Sequence, residues 1–310
     1  MRVIQASAPA RCGILGNPSD IYGGFVLSCS VPVRATCRLT LGETGPLPED
    51  TRLLDAALAR FPLEGDWKIE WSTDIPRSSG LSGSTALLAA TLASILVARD
   101  EIYRLADPVA MGELVRDVER HEANIMCGYQ DAQMIVNGGL QWMSFAGKHP
   151  VNPGPHPTLT SLDSELPFLL ITTGVERLSG SVHGPMAQRW MDGDSEVVEA
   201  METITEMGRQ SKDWILNSDW DSLAEAMNEN HRLVANLGGS GEPIDKLIGL
   251  AKEHGAQAAK LAGAGLGGTV IALTHQPEEL EAKLRGEGYT RFLRPQLTQG
   301  LRLDDLTSSM

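Results

Sequence analysis

Cysteine is scarce in this chain: Cys12, Cys29, Cys37 and Cys127 are the four among 310 residues. None forms a C-x-x-C pair and none has zinc-like spacing, so they mark neither a redox motif nor a zinc site. The seven histidines are scattered without an H-x-x-x-H pair, which argues against a transition-metal site. Long apolar runs are missing too. The longest, Ala86 to Ala98, is too short to cross a bilayer and reads as a buried core helix. Positive charge is in deficit, with 26 Lys and Arg against 40 Asp and Glu and a net charge of −14. That argues against a general nucleic-acid binder and against binding to acidic membrane surfaces. It leaves room for a small anionic ligand, because a local pocket can oppose the global charge. No signal peptide is visible at MRVIQASAP, so a cytoplasmic location is expected.

At 42% hydrophobic residues, the chain can bury a substantial core as one large or two moderate domains. Residues 2–6, 25–41 and 68–72 read as strands, the second broken by Pro32. Helix patterns cover 50–61, the run after the loop at 75–86 to about Tyr103, and 109–126. Residues 132–146 read as helix into strand. HPVNPGPHPT at 149–158 has no periodicity and reads as a linker and candidate domain boundary. The second half reads as strand 166–173, helices 194–216, 219–237 and 242–255, strands 257–262 and 268–274, helix 277–286 and a last strand at 289–294. Residues 307–310 are expected to fray. Helices and strands interleave in both halves, which predicts an α+β or mixed α/β class.

The densest signal is IPRSSGLSGSTALLAA at 75–90, a Pro/Ser/Gly loop running straight into an apolar helix. Gly80 and Gly83 let backbone approach a ligand closely, and the helix start offers unpaired N–H groups and a positive dipole end. Ser82, Ser84 and Thr85 add hydroxyls. This is the make-up of a phosphate site; a serine-capped turn is the competing reading. No lysine is present for a P-loop, and a third glycine for G-x-G-x-x-G is missing from this loop.

Two further glycine-marked segments share the chain with it: APARCGILGNPSD at 8–20 and KLAGAGLGG at 260–268. The ordered triplet resembles the GHMP kinases, a family of small-molecule kinases, over most of the chain. LGNPSD, D-I-P-R-x-x-GLSGS, and G-Y-Q-D before the pair Gly138-Gly139 look most like the glucuronokinases among them. The resemblance implies an α+β fold of two domains around one cleft. Residues 1–155 would be ribosomal-protein-S5-domain-2-like and 156–310 ferredoxin-like. It implies transfer of a phosphoryl group from ATP to a hydroxyl of a sugar or uronic acid, with Mg²⁺. Nucleic-acid and membrane partners are not expected, and no oligomer is indicated.

By that resemblance, the loop Ser79, Gly80, Leu81, Ser82, Gly83, Ser84 and Thr85 holds the triphosphate. Ser84 and Glu119 hold Mg²⁺, with Glu122 as the neighbouring alternative and a solvated helix face as the bland one. Asp131 is the base, unless it is only a helix N-cap. Arg11 stands near the transferred group, where a surface arginine is the competing reading. Asn17 and Asp20 match sugar-hydroxyl contacts, or else stabilise a turn. Gly265, inside the third segment, contributes backbone to the substrate side; a tight hairpin is the alternative. A uronate carboxylate calls for a cation, and Arg34, Arg77, Arg177 and Arg189 are candidates. Trp67 and Trp71 are candidates for adenine packing or for core. A silent member that senses sugar and ATP, or an acidic phosphate-binding domain outside the family, are the readings from other classes.

Overall fold

The computed structural model describes residues 2–175, 183–263 and 268–308. In chain order the first half holds β1 (Arg2–Leu15), β2 (Phe25–Leu41), α1 (Arg52–Arg60), β3 (Trp67–Thr73), α2 (Gly83–Ala98), α3 (Pro108–His121), α4 (Gln130–Asn137) and β4 (Leu140–Ser144). Then come β5 (Thr158–Leu162), β6 (Phe168–Thr172), α5 (His183–Met191), α6 (Ser195–Leu216), α7 (Trp220–Asn236) and α8 (Glu242–Glu253). The chain finishes with β7 (Ala258–Leu261), β8 (Thr269–Leu273), α9 (Pro277–Gly286), β9 (Phe292–Leu293) and β10 (Arg302–Ser308).

Two sheets organise these elements. The larger has the order β10-β1-β2-β4-β5, with β3 also paired to β2; the smaller is β7-β8-β6-β9. Every described pairing is antiparallel, which places the fold in the α+β class rather than α/β. β5 and β10 both lie beyond residue 155 yet complete the first sheet. The segment 149–158 is therefore a connection within that sheet.

Strand β1 runs nine residues past its expected end at residue 6. Ala, Ser and Pro give the ASAPA segment at 6–10 little strand propensity, but β2 pairs along almost the whole length of β1. Pairing on a buried surface overrides propensity. Pro32 does not end β2. The register steps from Pro9 opposite Arg34 to Ala10 opposite Val31, so Pro32 falls in a bulge where no ladder N–H is needed.

Helix α2 is buried on nearly all sides, from Leu88 through Val97 without a break. It has no polar face because β1, β2, α1, α3 and α4 surround it. Leu88, Leu92, Ile95 and Leu96 join Ile14, Leu27 and Val115 in the main core. A second core, with Leu169, Ile171, Met201, Ile204, Leu247 and Val270, packs α6 and α8 on the smaller sheet. Asp107, Asp194 and Asp219 cap α3, α6 and α7 through their side chains. α2 has no side-chain cap.

Candidate active site

The loop ahead of α2 alternates backbone hand. Ser78, Gly80 and Ser82 have positive φ (49°, 72° and 59°), whereas Ser79 and Leu81 between them do not. Such alternation turns successive N–H groups into a concavity that suits an anion. The first N–H groups of α2, left uncapped, face the same end. Two of the loop's positive-φ residues carry side chains, a strain found mainly at functional sites. Ser79 is buried and its Oγ has no partner. Ser84 is exposed on the first turn.

Arg11 lies in the middle of β1 and is 4% exposed, not a surface residue. Its Nε and Nη2 donate to Oδ1 and Oδ2 of Asp131 at 2.8 and 2.9 Å. Its Nη1 donates to the carbonyls of Gly80 and Ala262 at 2.9 and 3.1 Å. Burial opposes its charge, but the charge and hydrogen bonds of Asp131 win, and its pKa rises above the ordinary value. The Ser82 hydroxyl donates to Oδ2 of Asp131 at 2.7 Å. Arg11 and Asp131 thereby tie all three glycine-marked segments together.

Capping of α4 falls to Asp20, not Asp131. Oδ2 of Asp20 accepts the N–H groups of Tyr129 and Gln130 at 2.6 and 3.0 Å. A Cβ on Gly128 would sit 2.3 Å from that oxygen, so only glycine lets the carboxylate in. Burial pushes the Asp20 carboxyl up to about 6 against those hydrogen bonds. Asn17 is likewise turned inward. Its Oδ1 accepts from Lys260 at 2.8 Å and its carbonyl from Asn230 at 3.0 Å. Lys260 is fully buried without a carboxylate partner among the described residues, and burial pulls it down to about 7. Neither Lys260 nor Asn230 was singled out from sequence, although a lysine inside the apolar strand AAKLA is a visible oddity.

Glu119 is 2% exposed and accepts from the Thr85 hydroxyl at 2.9 Å. Burial, then the nearby charge of Asp131, push it up to about 7. Glu122 instead pairs with Arg60 at 2.6 Å. The glycines around the third segment press on the loop. A Cβ on Gly263 would lie 2.4 Å from the Gly80 carbonyl oxygen, and one on Gly268 would lie 2.6 Å from that of Ser79. Gly265 itself lies outside the described residues, as does Arg177. Arg34 is spent on Ser7 and on the carbonyls of Gln299 and Gly300, and Arg189 on Asp194 and Glu196. Arg77 lines a cleft of about 300 Å³ with Ser78, Ser79, Thr172, Gly268 and Arg291. Trp67 and Trp71 pack from β3 onto the cluster of Leu54 and Ile69.

Two family models match the chain: the GHMP kinases N terminal domain over residues 51–139 and the GHMP kinases C terminal over 213–290. The chain belongs to the GHMP kinase family. This kinase is 29% identical to glucuronokinase 1 of Arabidopsis thaliana, over 93% of its own length and 90% of the relative's. It is 23% identical to the D-glycero-alpha-D-manno-heptose 7-phosphate kinase of Campylobacter jejuni, covering 94% and 96%. Its fold matches Lactococcus lactis galactokinase complexed with galactose at a TM-score of 0.76, with 16% identity over 97% and 95%. The match to L. major mevalonate kinase with R-mevalonate has a TM-score of 0.73 and 17% identity, over 94% and 95%. The kinase thus has the two-domain GHMP architecture and is an ATP-dependent phosphotransferase acting on a hydroxyl group. No described helix is long and apolar enough to cross a membrane.

Proposed function

We propose that this kinase transfers the γ-phosphoryl group of ATP to a sugar hydroxyl, the anomeric one of a uronic acid. The observation that carries the reading is the fork of Arg11 on Asp131, with Ser82 of the phosphate loop on the same carboxylate. It sets a base against the loop that receives the donor phosphates. The likeness to glucuronokinase 1 supports a uronic acid as acceptor.

Phosphoryl transfer depends on positioning and on neutralising charge, with little covalent work for the protein. The loop Ser79 to Thr85 receives the triphosphate on backbone N–H groups, and Arg77 and Arg291 add positive charge beside it. Glu119 and the hydroxyls of Ser84 and Thr85 supply hard oxygen donors of the kind Mg²⁺ accepts alongside phosphate oxygens and water. That ion, when bound, neutralises the β- and γ-phosphates. Asp131 orients the acceptor hydroxyl and takes its proton as the oxygen attacks the γ-phosphorus and the bond to the ADP oxygen breaks. Arg11 holds Asp131 in place and faces the developing charge. Asn17 and Asp20 shape the sugar side by fixing the first-segment turn and the head of α4. The domains proposed for these tasks are 1–155 and 156–310, with β5 and β10 shared into the first sheet, and the proposed location is cytoplasmic.

A coupled ADP-release assay over glucuronate, galacturonate, galactose, arabinose, mannose, mevalonate and homoserine tests the reading. Turnover on a uronic acid supports it. Turnover on a neutral sugar or a non-sugar alcohol alone keeps the kinase and discards the uronate, and silence with MgATP bound favours a sensor.

A further inference from the structure

Arg116 stands on α3 one turn before Glu119, and so on the same helix face. It is 8% exposed. Its guanidinium lies over the ring of Tyr129, with Cζ 4.1 Å from the centroid. Its Nε is sealed from solvent and makes no hydrogen bond, and no carboxylate of the described residues pairs with the group. The other buried cations around it are occupied: Lys148 by Glu113 and Arg11 by Asp131. Arg120, one turn on, is directed at the Met126 sulfur. A guanidinium nitrogen sealed from water without an acceptor is costly, and the two terminal nitrogens of Arg116, which are not sealed, have no hydrogen-bond partner among the described residues.

The position fits an acceptor sugar. The backbone N–H of Tyr129, whose ring carries Arg116, holds Asp20, and Asp131 follows two residues later. Burial raises the Cys127 thiol first, and the charges of Glu119, Arg116, Asp131 and Arg120 also act on it.

We propose that Arg116 binds a carboxylate carried by the acceptor sugar and thereby makes the kinase select sugar acids over neutral sugars. This rests on the uronic-acid reading above and names the residue that would enforce it. A planar fork matches a carboxylate through two parallel hydrogen bonds. A single free fork balances one negative charge. Asp20, Glu113, Glu119 and Asp131 close by disfavour the second charge of a phosphate monoester.

The test compares wild type, Arg116→Gln and Arg116→Lys with glucuronate, glucose and glucose 6-phosphate. Calorimetry reads sugar binding, and ADP release reads kcat/KM. Wild type should bind glucuronate more tightly than either other sugar. Arg116→Gln should lower the ratio of glucuronate to glucose kcat/KM about tenfold to a hundredfold, the worth of a hydrogen-bonded charge. Arg116→Lys, which keeps the charge and loses the fork, should recover part of it and guards against a glutamine variant that fails to fold. An unchanged ratio in both variants overturns the proposal, as does a wild type that prefers glucose 6-phosphate or binds glucuronate no better than glucose. ATP-dependent turnover of none of the three by wild type refutes the uronic-acid reading above instead. The calorimetric preference for glucuronate judges Arg116 separately.

Discussion

Arg11 and Asp131 lie 120 residues apart and meet through two parallel hydrogen bonds of 2.8 and 2.9 Å. The remaining guanidinium nitrogen reaches the carbonyls of Gly80 and Ala262. One arginine on β1 thus fixes the loop ahead of α2, the third segment and the head of α4 at once. Because that arginine is buried, its charge is tolerated only while Asp131 answers it.

Asp131→Asn should therefore act on two readouts. Loss of a positioned base should lower kcat by about 10²- to 10⁴-fold. Breaking the buried pair should cost about 3–5 kcal/mol of stability at most, less where the amide oxygen still accepts from Arg11. MgATP affinity should hold, because the loop's N–H groups are untouched. ADP release, a urea melt and a nucleotide titration measure the three. Wild-type turnover in the variant would remove Asp131 from the chemistry.

Gly128→Ala tests the approach of Asp20 to α4. The added methyl would lie 2.3 Å from the carboxylate oxygen that accepts the Tyr129 and Gln130 N–H groups. Either the loop shifts or Asp20 withdraws, at a cost of about 1–3 kcal/mol. Since Asp131 is on the first turn of the same helix, turnover should fall with stability. A variant with unchanged urea midpoint and unchanged kcat would show that the contact is slack.

Much of this site was legible in the sequence because its backbone demands particular residue types. Gly80, Gly128 and Gly268 occupy places where a Cβ has no room or the φ is positive, and such places leave glycine in fixed order along the chain. Strands were less legible. β1 beyond residue 6 and the short edge strands β5 and β10 owe their form to partners distant in sequence, not to their own propensity. Arg116 was invisible for another reason. In LVRDVERHEAN charged residues fall on every side of the helix, and only packing on Tyr129 distinguishes one arginine from the rest. The inward turn of Asn17 depends on Lys260, 243 residues away.

Lys260 should make stability depend on pH in an identifiable direction. Its folded pKa is pulled down to about 7 by burial, below the ~10.4 of an unfolded lysine. Above about pH 7 the unfolded chain holds the proton and the folded chain does not. Stability therefore rises with pH from there to the unfolded value, by up to about 1.4 kcal/mol per unit. Below pH 7 the full penalty for the buried charge is present. Lys260→Met should flatten this slope while loosening Asn17. Urea melts of both proteins at pH 7 and pH 9 decide it: parallel changes in the two would show that Lys260 stays charged when folded.

Ser82 joins a strained backbone to a hydrogen bond on Asp131, and two substitutions separate them. It holds φ at 59° and ψ at 41° while its hydroxyl reaches Asp131 at 2.7 Å. Ser82→Ala keeps the strain and loses the bond. Ser82→Gly loses the bond but relieves a left-handed conformation worth about 1–2 kcal/mol to a residue with a Cβ. Glycine's greater freedom in the unfolded chain offsets part of that relief. The glycine variant should thus melt above the alanine variant, while both show the same fall in kcat, about tenfold for one charge-assisted hydrogen bond. Thermal melts and ADP release on the two proteins measure this. Equal melting temperatures would mean that the loop relaxes without strain, and wild-type kcat in both would mean that Asp131 keeps its orientation through Arg11 alone.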